Sequence, residues 1–515
     1  MKRFALTVML TISLVPPAWA EIRTITATGE YRMGDNDTRT DAKRLALQDA
    51  ERLALAQAGT YLESITEVKN FTLSRDELQA YMAGIVEVAE HEALSAMEGQ
   101  QLVVQVKVTC KIDTDIVTRQ INALRKNERA KTELLALRQE ADRLRQELEI
   151  KTRELAAVTS KAEAATSAQA RRKVITEQDV NSLLARASVA LFGSSETVII
   201  GSISSEGRQR ARNLIEQALA LDRTNPNVHE IMGVLLAEEG NQEGAITEFR
   251  AAIRINPNDA ITHNNFGLVL EAKGDRDGAI TEYRTALRLK PDLVIAHDNL
   301  GVALRAKGDL DGAITEFLSA IRMKPDDATV HINLAGTFRD KGDIERAIVE
   351  CRAAIRFEPD NAVAHYCLGL ALTAQKDVAG AIVAYRTALR LKPDYAEAHH
   401  DFGNVLLFKG DMDGAITEFR TALRLKPDDA KTHTGLGRAL QDKGDLEGAI
   451  TEYRAAIRLE PDAALGHYSL GEALKANGQR DEAAREFRKF LKLAPDNPTY
   501  RPLIEDAWAL LRDLK

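Results

Sequence analysis

The chain has 515 residues, with 69 Lys and Arg against 77 Asp and Glu, a formal charge of −8 and a hydrophobic fraction of 44%. That is ordinary globular material, long enough for several domains, and its acidic balance excludes the basic footprint that a nucleic-acid partner needs. Three scattered cysteines, Cys110, Cys351 and Cys367, exclude a disulfide framework.

Residues 1–20 read as an export signal. Lys2 and Arg3 precede an apolar stretch from Phe4 to Val15, and Ala18-Trp19-Ala20 supplies a small-x-small cleavage site. The mature chain is expected to begin near Glu21, with no cysteine there to carry a lipid. No second apolar run is long enough to span a bilayer. The expected product is exported, either periplasmic in a bacterial envelope or secreted.

Residues 21–114 alternate in type and read as a small α/β domain. Strands are expected over Ile22–Arg32, Tyr61–Phe71, Gly84–Met97 and Gln100–Ile112, with helices over Thr40–Ala58 and Ser74–Met82. Ala42, Ala46, Ala50 and Ala54 give the first helix a thin inner face, so it should lie close on the sheet. Cys110 alternates with Val104, Val106 and Val108 and reads as a small buried hydrophobe. The motif Asp35-Asn36-Asp37 suggests calcium, but an EF-hand loop starting there needs glycine at Thr40 and glutamate at Ala46. A solvated turn capping the next helix accounts for it better. The run Ala42–Ala58 followed by Gly59-Thr60-Tyr61-Leu62-Glu63-Ser64 resembles the first domain of the flagellar ring-assembly protein T and related small exported bacterial lipoprotein domains. That resemblance implies an envelope location more than a flagellar role.

Residues 115–173 read as one long helix. Leu134, Leu137, Ala141, Leu144, Leu148, Leu155, Val158, Ala162 and Ala165 fall on heptad a and d positions, with Lys151 breaking the seam. A coiled coil that joins chains through Leu134 to Val158 is the expectation. The alternative is a solvated single helix laced with Glu–Arg pairs.

From there the chain repeats. Pro257, Pro291, Pro325, Pro359, Pro393, Pro427, Pro461 and Pro495 stand 34 residues apart. A fixed period of that length means one supersecondary unit copied along the chain. With each unit counted from 31 residues before its proline, position 4 is histidine throughout (His229, His263, His297, His331, His365, His399, His433, His467) and position 20 is alanine. Gly at 8, an aromatic at 24 and Ala at 27 complete a set that resembles the tetratricopeptide repeat, or TPR. The resemblance implies eight helical hairpins over residues 226–497, in a mainly α, right-handed superhelical solenoid. Local departures are Ala335 at position 8, Cys351 at 24, Lys376 in the turn and Phe490 at 27. A degenerate repeat with an insertion is expected over 179–225, and an amphipathic capping helix over 498–515.

Candidate sites are sparse. The histidine column reads as packing, because ligands a repeat apart cannot share one tetrahedral metal. Asn265, Asn299 and Asn333 occupy position 6 of three successive repeats, with Asn264 beside the first. Aligned amides in a concave groove can pair with an extended peptide backbone. The arrangement resembles the asparagine ladder in the repeat domain of the O-linked N-acetylglucosamine transferase. Arginine pairs such as Arg284 with Arg288 recur four apart, and Glu282, Asp277 and Asp309 are expected to neutralise them. A Cys351–Cys367 bridge is the minority reading. No phosphate loop, paired-histidine zinc helix or nucleophile elbow is present, so no catalytic residue, metal or cofactor is expected. The expected function is a non-catalytic exported adapter that binds a protein or peptide in its repeat groove. The alternative is a substrate-recruiting subunit of a separately encoded enzyme such as a glycosyltransferase.

Overall fold

The computed structural model describes residues 22–34, 37–64, 88–99, 101–113, 117, 121, 128–157, 161–192, 205–495 and 500–513. The export signal expected at residues 1–20 and the elements expected between 65 and 87 lie outside them. The chain forms two compact units, residues 1–296 and 297–515.

The first unit opens on β1 (Ile22–Arg32), α1 (Arg39–Ser64), β2 (Val88–Glu98) and β3 (Gln101–Asp113). The three strands form an antiparallel sheet in the order β1-β3-β2, with Ile25 opposite Cys110 and Ala27 opposite Val108. Ala42, Ala46, Ala50 and Ala54 of α1 are fully buried against it. Gly29 on β1 permits that approach, since a Cβ there would sit 2.2 Å from the Ala46 carbonyl oxygen. Helix α1 continues through Ser64, where a strand from Tyr61 was expected. One glycine, Gly59, costs a helix about 1 kcal/mol, too little to stop it.

The expected single long helix is instead two helices, α2 (Glu128–Ala157) and α3 (Lys161–Phe192), which pack on each other. They run antiparallel. Asn181 of α3 donates from Nδ2 to the Leu137 carbonyl of α2 at 2.8 Å, and Lys173 and Glu177 line one cavity with Arg143 and Leu144. Leu134, Leu137, Leu144 and Leu155 are buried, along with Val174, Val180 and Leu184 of α3. A heptad seam reports that a helix packs along one face, not which chain provides the other helix. Here the same chain provides it, so the seam expected to join chains is covered at Leu134, Leu137, Leu144 and Leu155.

Helix α3 also anchors the front domain. Arg171, 1% exposed, pairs through Nη2 with Asp37 Oδ1 at 2.5 Å and donates from Nη1 to the Tyr31 hydroxyl at 3.1 Å. Tyr31 donates to Asp37 Oδ2 at 3.0 Å, and burial together with the Asp37 charge pushes its pKa up to about 12. Arg172 pairs with Asp41 at 2.9 Å, and Gln48 donates to Asp179 at 2.8 Å. Asp37 is therefore no solvated turn residue; its side chain is closed under α3. Beyond α3, helix α4 (Ser205–Leu221) buries Ala211, Ile215 and Ala218, as the end of α3 buries Leu184, Ala187 and Leu191.

Eight hairpins follow, of which repeat 1 is Pro226–Glu238 with Gln242–Ile255 and repeat 6 is Ala396–Lys409 with Met412–Leu425. The small and large residues of the repeat fit one another. At Gly267, Gly301, Gly403 and Gly437 a Cβ would come within 2.5–2.8 Å of the aromatic ring at position 24. Repeat 4 swaps both partners: Ala335 stands at position 8, and the smaller Cys351 replaces the ring beside it. Cys351 is bonded to Cys367 of repeat 5, with 6.0 Å between their Cα atoms. Between the two helices of a hairpin a glycine takes the left-handed conformation, as at Gly410 with φ 87°, and an aspartate caps the second helix. Asp411 accepts from the Gly414 amide at 3.0 Å. Repeat 5 has Lys376 at that glycine position, with φ 67°. The last helix, Arg501–Asp513, buries Ala507 and Leu511 while Trp508 stays 57% exposed. Tyr468 of repeat 8 donates to its Asp506 at 2.5 Å.

Candidate functional site

Each first helix turns position 4 and position 8 toward its own second helix. The opposite side carries positions 2, 5, 6, 9 and 13, and from it side chains reach neighbouring first helices. Bonds between consecutive first helices mark this inner face in the second unit. Asn333 donates to Asp298 at 2.9 Å, Tyr366 to Asp401 at 2.7 Å, and the His400 ring meets the Thr432 hydroxyl at 2.8 Å.

Those bonds correct the asparagine reading. Asn265 is fully buried and donates to Glu230 of repeat 1 at 2.9 Å; Asn264 is 2% exposed and donates to Asn265 at 3.3 Å. Asn333 makes the equivalent bond to Asp298, and Asn299 is half-buried. At Asn265 and Asn333 the position 6 amide stitches one repeat to the acid at position 5 of the repeat before. Those two amides already donate within the array. Burial raises the Asp298 carboxyl to about 6 even with the Asn333 bond opposing it. The signal was in the chain as acid and amide 35 residues apart.

The histidines do more than fill space. In seven repeats Nδ1 lies 2.5–2.7 Å from a glutamate on the second helix: Glu248, Glu282, Glu316, Glu350, Glu418, Glu452 and Glu486. Nε2 reaches the carbonyl of the preceding repeat's proline, at 3.1 Å for His263 and Pro257 and 3.0 Å for His467 and Pro461. Both partners are acceptors, so the doubly protonated imidazolium satisfies both. The glutamate bonds at His263 and His331 raise those pKa values against the opposing effect of burial. At His399 burial acts to lower the value, and the bonds to Glu418 and Pro393 outweigh it. His365 keeps only its bond to Pro359, at 2.9 Å, because Ala384 replaces the glutamate. A glutamate 19 residues after seven of the eight histidines was the signal that sequence reading passed over. It also removes Glu282 from the arginine stripe, while Asp309 caps the helix at Gly312. Neighbouring repeats are paired by lysines, as in Lys273 with Glu243 at 2.6 Å and Lys443 with Asp413 at 2.5 Å, and from the arginine stripe by Arg454 with Glu482 at 2.6 Å.

The inner face is not uniform. Position 2 is exposed in repeats 4 to 8, with Val363 at 41% and Leu465 at 47%, and Phe408 at position 13 of repeat 6 reaches 78%. Polar groups run between these side chains. Arg305 pairs with Asp340 at 2.6 Å, and Gly336 leaves room for its guanidinium. Tyr366 and Tyr395 lie 4.9 Å apart, with Lys392 over the Tyr395 ring. In the first unit the same positions are covered. Asn227, Ile261 and Ile295 at position 2 are half-buried, and Glu230 and Asn264 at position 5 are buried.

The second unit thus presents an exposed face with apolar side chains set among hydrogen-bonded polar ones, which suits contact with another polypeptide. Family models for the TPR repeat match residues 233–274, 336–376, 370–410, 403–444 and 437–478, and models for the tetratricopeptide repeat match 264–328 and 464–497. The chain belongs to the tetratricopeptide-repeat family. It is similar to the solved structure of MamA residues 41 to the end from Desulfovibrio magneticus RS-1, at 25% identity over 33% of this chain and 97% of that one, with a TM-score of 0.32. A tetratricopeptide repeat protein of Parabacteroides merdae ATCC 43184 matches at 19% identity over 49% of this chain and 98% of that one, TM-score 0.39. YrrB, described as a TPR protein with an unusual peptide-binding site, matches at 21% identity over 36% of this chain and 95% of that one, TM-score 0.29. Among curated proteins nothing matches. Among the described residues, no helix is long and apolar enough to cross a membrane.

Proposed function

We propose that this chain is a non-catalytic, exported adapter of a bacterial envelope whose second unit holds a protein or peptide partner on its inner face. The observation that carries the reading is the exposure of single apolar side chains there, Val363, Phe408 and Leu465, among polar and charged neighbours such as Glu397 and Lys431. Export rests on the leader at residues 1–20, and fractionation of the producing cell checks it. Crosslinking capture from the native envelope tests the binding surface. Phe408→Ala should weaken the captured partner by about 2 kcal/mol, the usual size of an interface hot spot, and leave helicity unchanged. Capture that survives both Phe408→Ala and Leu465→Asp in a folded chain would move the contact elsewhere.

A further inference from the structure

Repeat 5 lacks several of the ties that hold its neighbours. Elsewhere the ring at position 24 reaches forward to the next repeat, as Phe249 does to Phe266 at 6.0 Å and Tyr385 to Phe402 at 6.1 Å. At the step from repeat 4 to repeat 5 that ring is replaced by Cys351. Position 6, which carries the stitching amide in Asn265 and Asn333, is Cys367. Position 14, whose lysine pairs with the repeat before at Lys273 and Lys443, is Gln375. Within the hairpin, Ala384 removes the acid that the other histidines hold. Lys376 takes the left-handed turn that glycine takes in the other seven hairpins. In place of those ties the step has a covalent one. Ala335, Cys351 and Cys367 pack in one buried cluster, and the two sulfurs are bonded. Cys351 is fully buried and Cys367 is 8% exposed.

We propose that the Cys351–Cys367 pair is a redox site: a dithiol reductant opens it, and its state sets whether repeats 4 and 5 stay locked together. Bonded, it closes a loop across the step, with the two cysteines 16 residues apart. Closing a loop of about 15 residues disfavours opening by roughly a hundredfold. Reduced, two thiols fill the space of a ring and an amide without supplying the tie that those groups supply elsewhere. Each repeat of a solenoid touches only its neighbours, so no distant contact compensates. The reductant reaches the sulfur through local opening of the first two turns of Ala362–Gln375, which carry both His365 and Cys367. One thiolate of the reductant attacks Cys367 Sγ, the sulfur–sulfur bond breaks, and Cys351 leaves as a thiolate that takes up a proton. The second thiolate then attacks the mixed disulfide. It frees Cys367, which also ends as a thiol, and leaves the reductant as its own disulfide.

The test is hydrogen–deuterium exchange of the full chain, air-oxidised and then reduced with dithiothreitol. Alkylation of the Cys351 and Cys367 peptides reports the redox state. Exchange in Ile344–Phe357 and Ala362–Gln375 should rise at least roughly tenfold on reduction, while Ala430–Lys443 of repeat 7 keeps its protection. Cys351→Ala with Cys367→Ala should match the reduced chain with no reductant present. Ala384→Glu returns the acid to His365 and should slow reduction several-fold. Lys376→Gly relaxes the turn of the same hairpin and should slow it as well, so the test survives a misfolded Ala384→Glu. Full alkylation of both peptides in the oxidised chain would overturn the pair. Equal exchange in the two helices before and after reduction would overturn the lock. Protection lost evenly across the second unit would overturn its confinement to this step. Reduction at the parent rate in both folded hairpin variants would overturn the route through repeat 5.

Discussion

Repeats 1 and 2 and repeats 4 to 8 share one sequence pattern but not one inner face. In the first unit Glu230, Asn264 and Asn265 are buried. In the second unit Val363, Phe408 and Leu465 face solvent. A repeat motif fixes how hairpins stack, because stacking uses positions 4, 8, 20, 24 and 27. It leaves the inner face free to be covered or open. Function in this chain therefore depends on the inner-face residues as much as on the stacking.

The largest expected effect comes from undoing the anchor of the front region. Asp37→Ala leaves Arg171 charged and buried without its partner, a loss of about 3–5 kcal/mol in comparable buried pairs. Thermal unfolding should show the first unit melting earlier while the second keeps its transition. A single transition that shifts as one would break the contrast between the two units. Next is packing inside the array. Gly437→Ala forces a Cβ to within 2.8 Å of the Tyr453 ring and should cost about 1–3 kcal/mol by chemical denaturation. Ala335 shows that the same change is harmless where the ring is absent. Lys376→Gly relieves a left-handed backbone that costs a side chain roughly 1–2 kcal/mol. Some of that gain is offset by the freer unfolded chain, so a net stabilisation of about 1 kcal/mol is expected.

The smallest effect per site is the pH dependence of the histidine clasps. His263, His331 and His399 have pKa values raised above the ordinary 6.5, so the folded state binds more protons than the unfolded state in that region. Their stabilisation is complete below pH 6.5 and is lost as pH rises through the raised values. The midpoint for unfolding should fall between neutral and mildly alkaline pH, and replacing the three with Gln should flatten that slope. A midpoint that rises over the same range would mean that the clasps are neutral.

Much of this was legible in the chain. The 34-residue period, the glycine and aromatic pair and the aspartate caps are local rules, and residues such as Gly301 and Phe317 state them directly. What was not legible depends on contacts far apart in sequence. The leucine seam of α2 reads the same whether its partner is another chain or α3, and only the antiparallel packing of α3 decides between them. Arg171 looked like one more charge at the end of a helix, because nothing local says that Asp37 will meet it. Asn265 looked available because its partner, Glu230, lies 35 residues away. Cys351 and Cys367 lie one repeat apart on facing helices, which spacing alone permits without requiring.

Hydroxyl-radical footprinting of the intact chain, read residue by residue after correction for intrinsic reactivity, tests the central contrast most directly. Phe408, Leu465 and Val363 should be oxidised rapidly, and Ile261, Leu293 and Ile295 should be markedly slower, with Leu293 protected like the buried core residue Leu270. Protection that is equal at position 2 in Ile261 and Val363 would contradict the account.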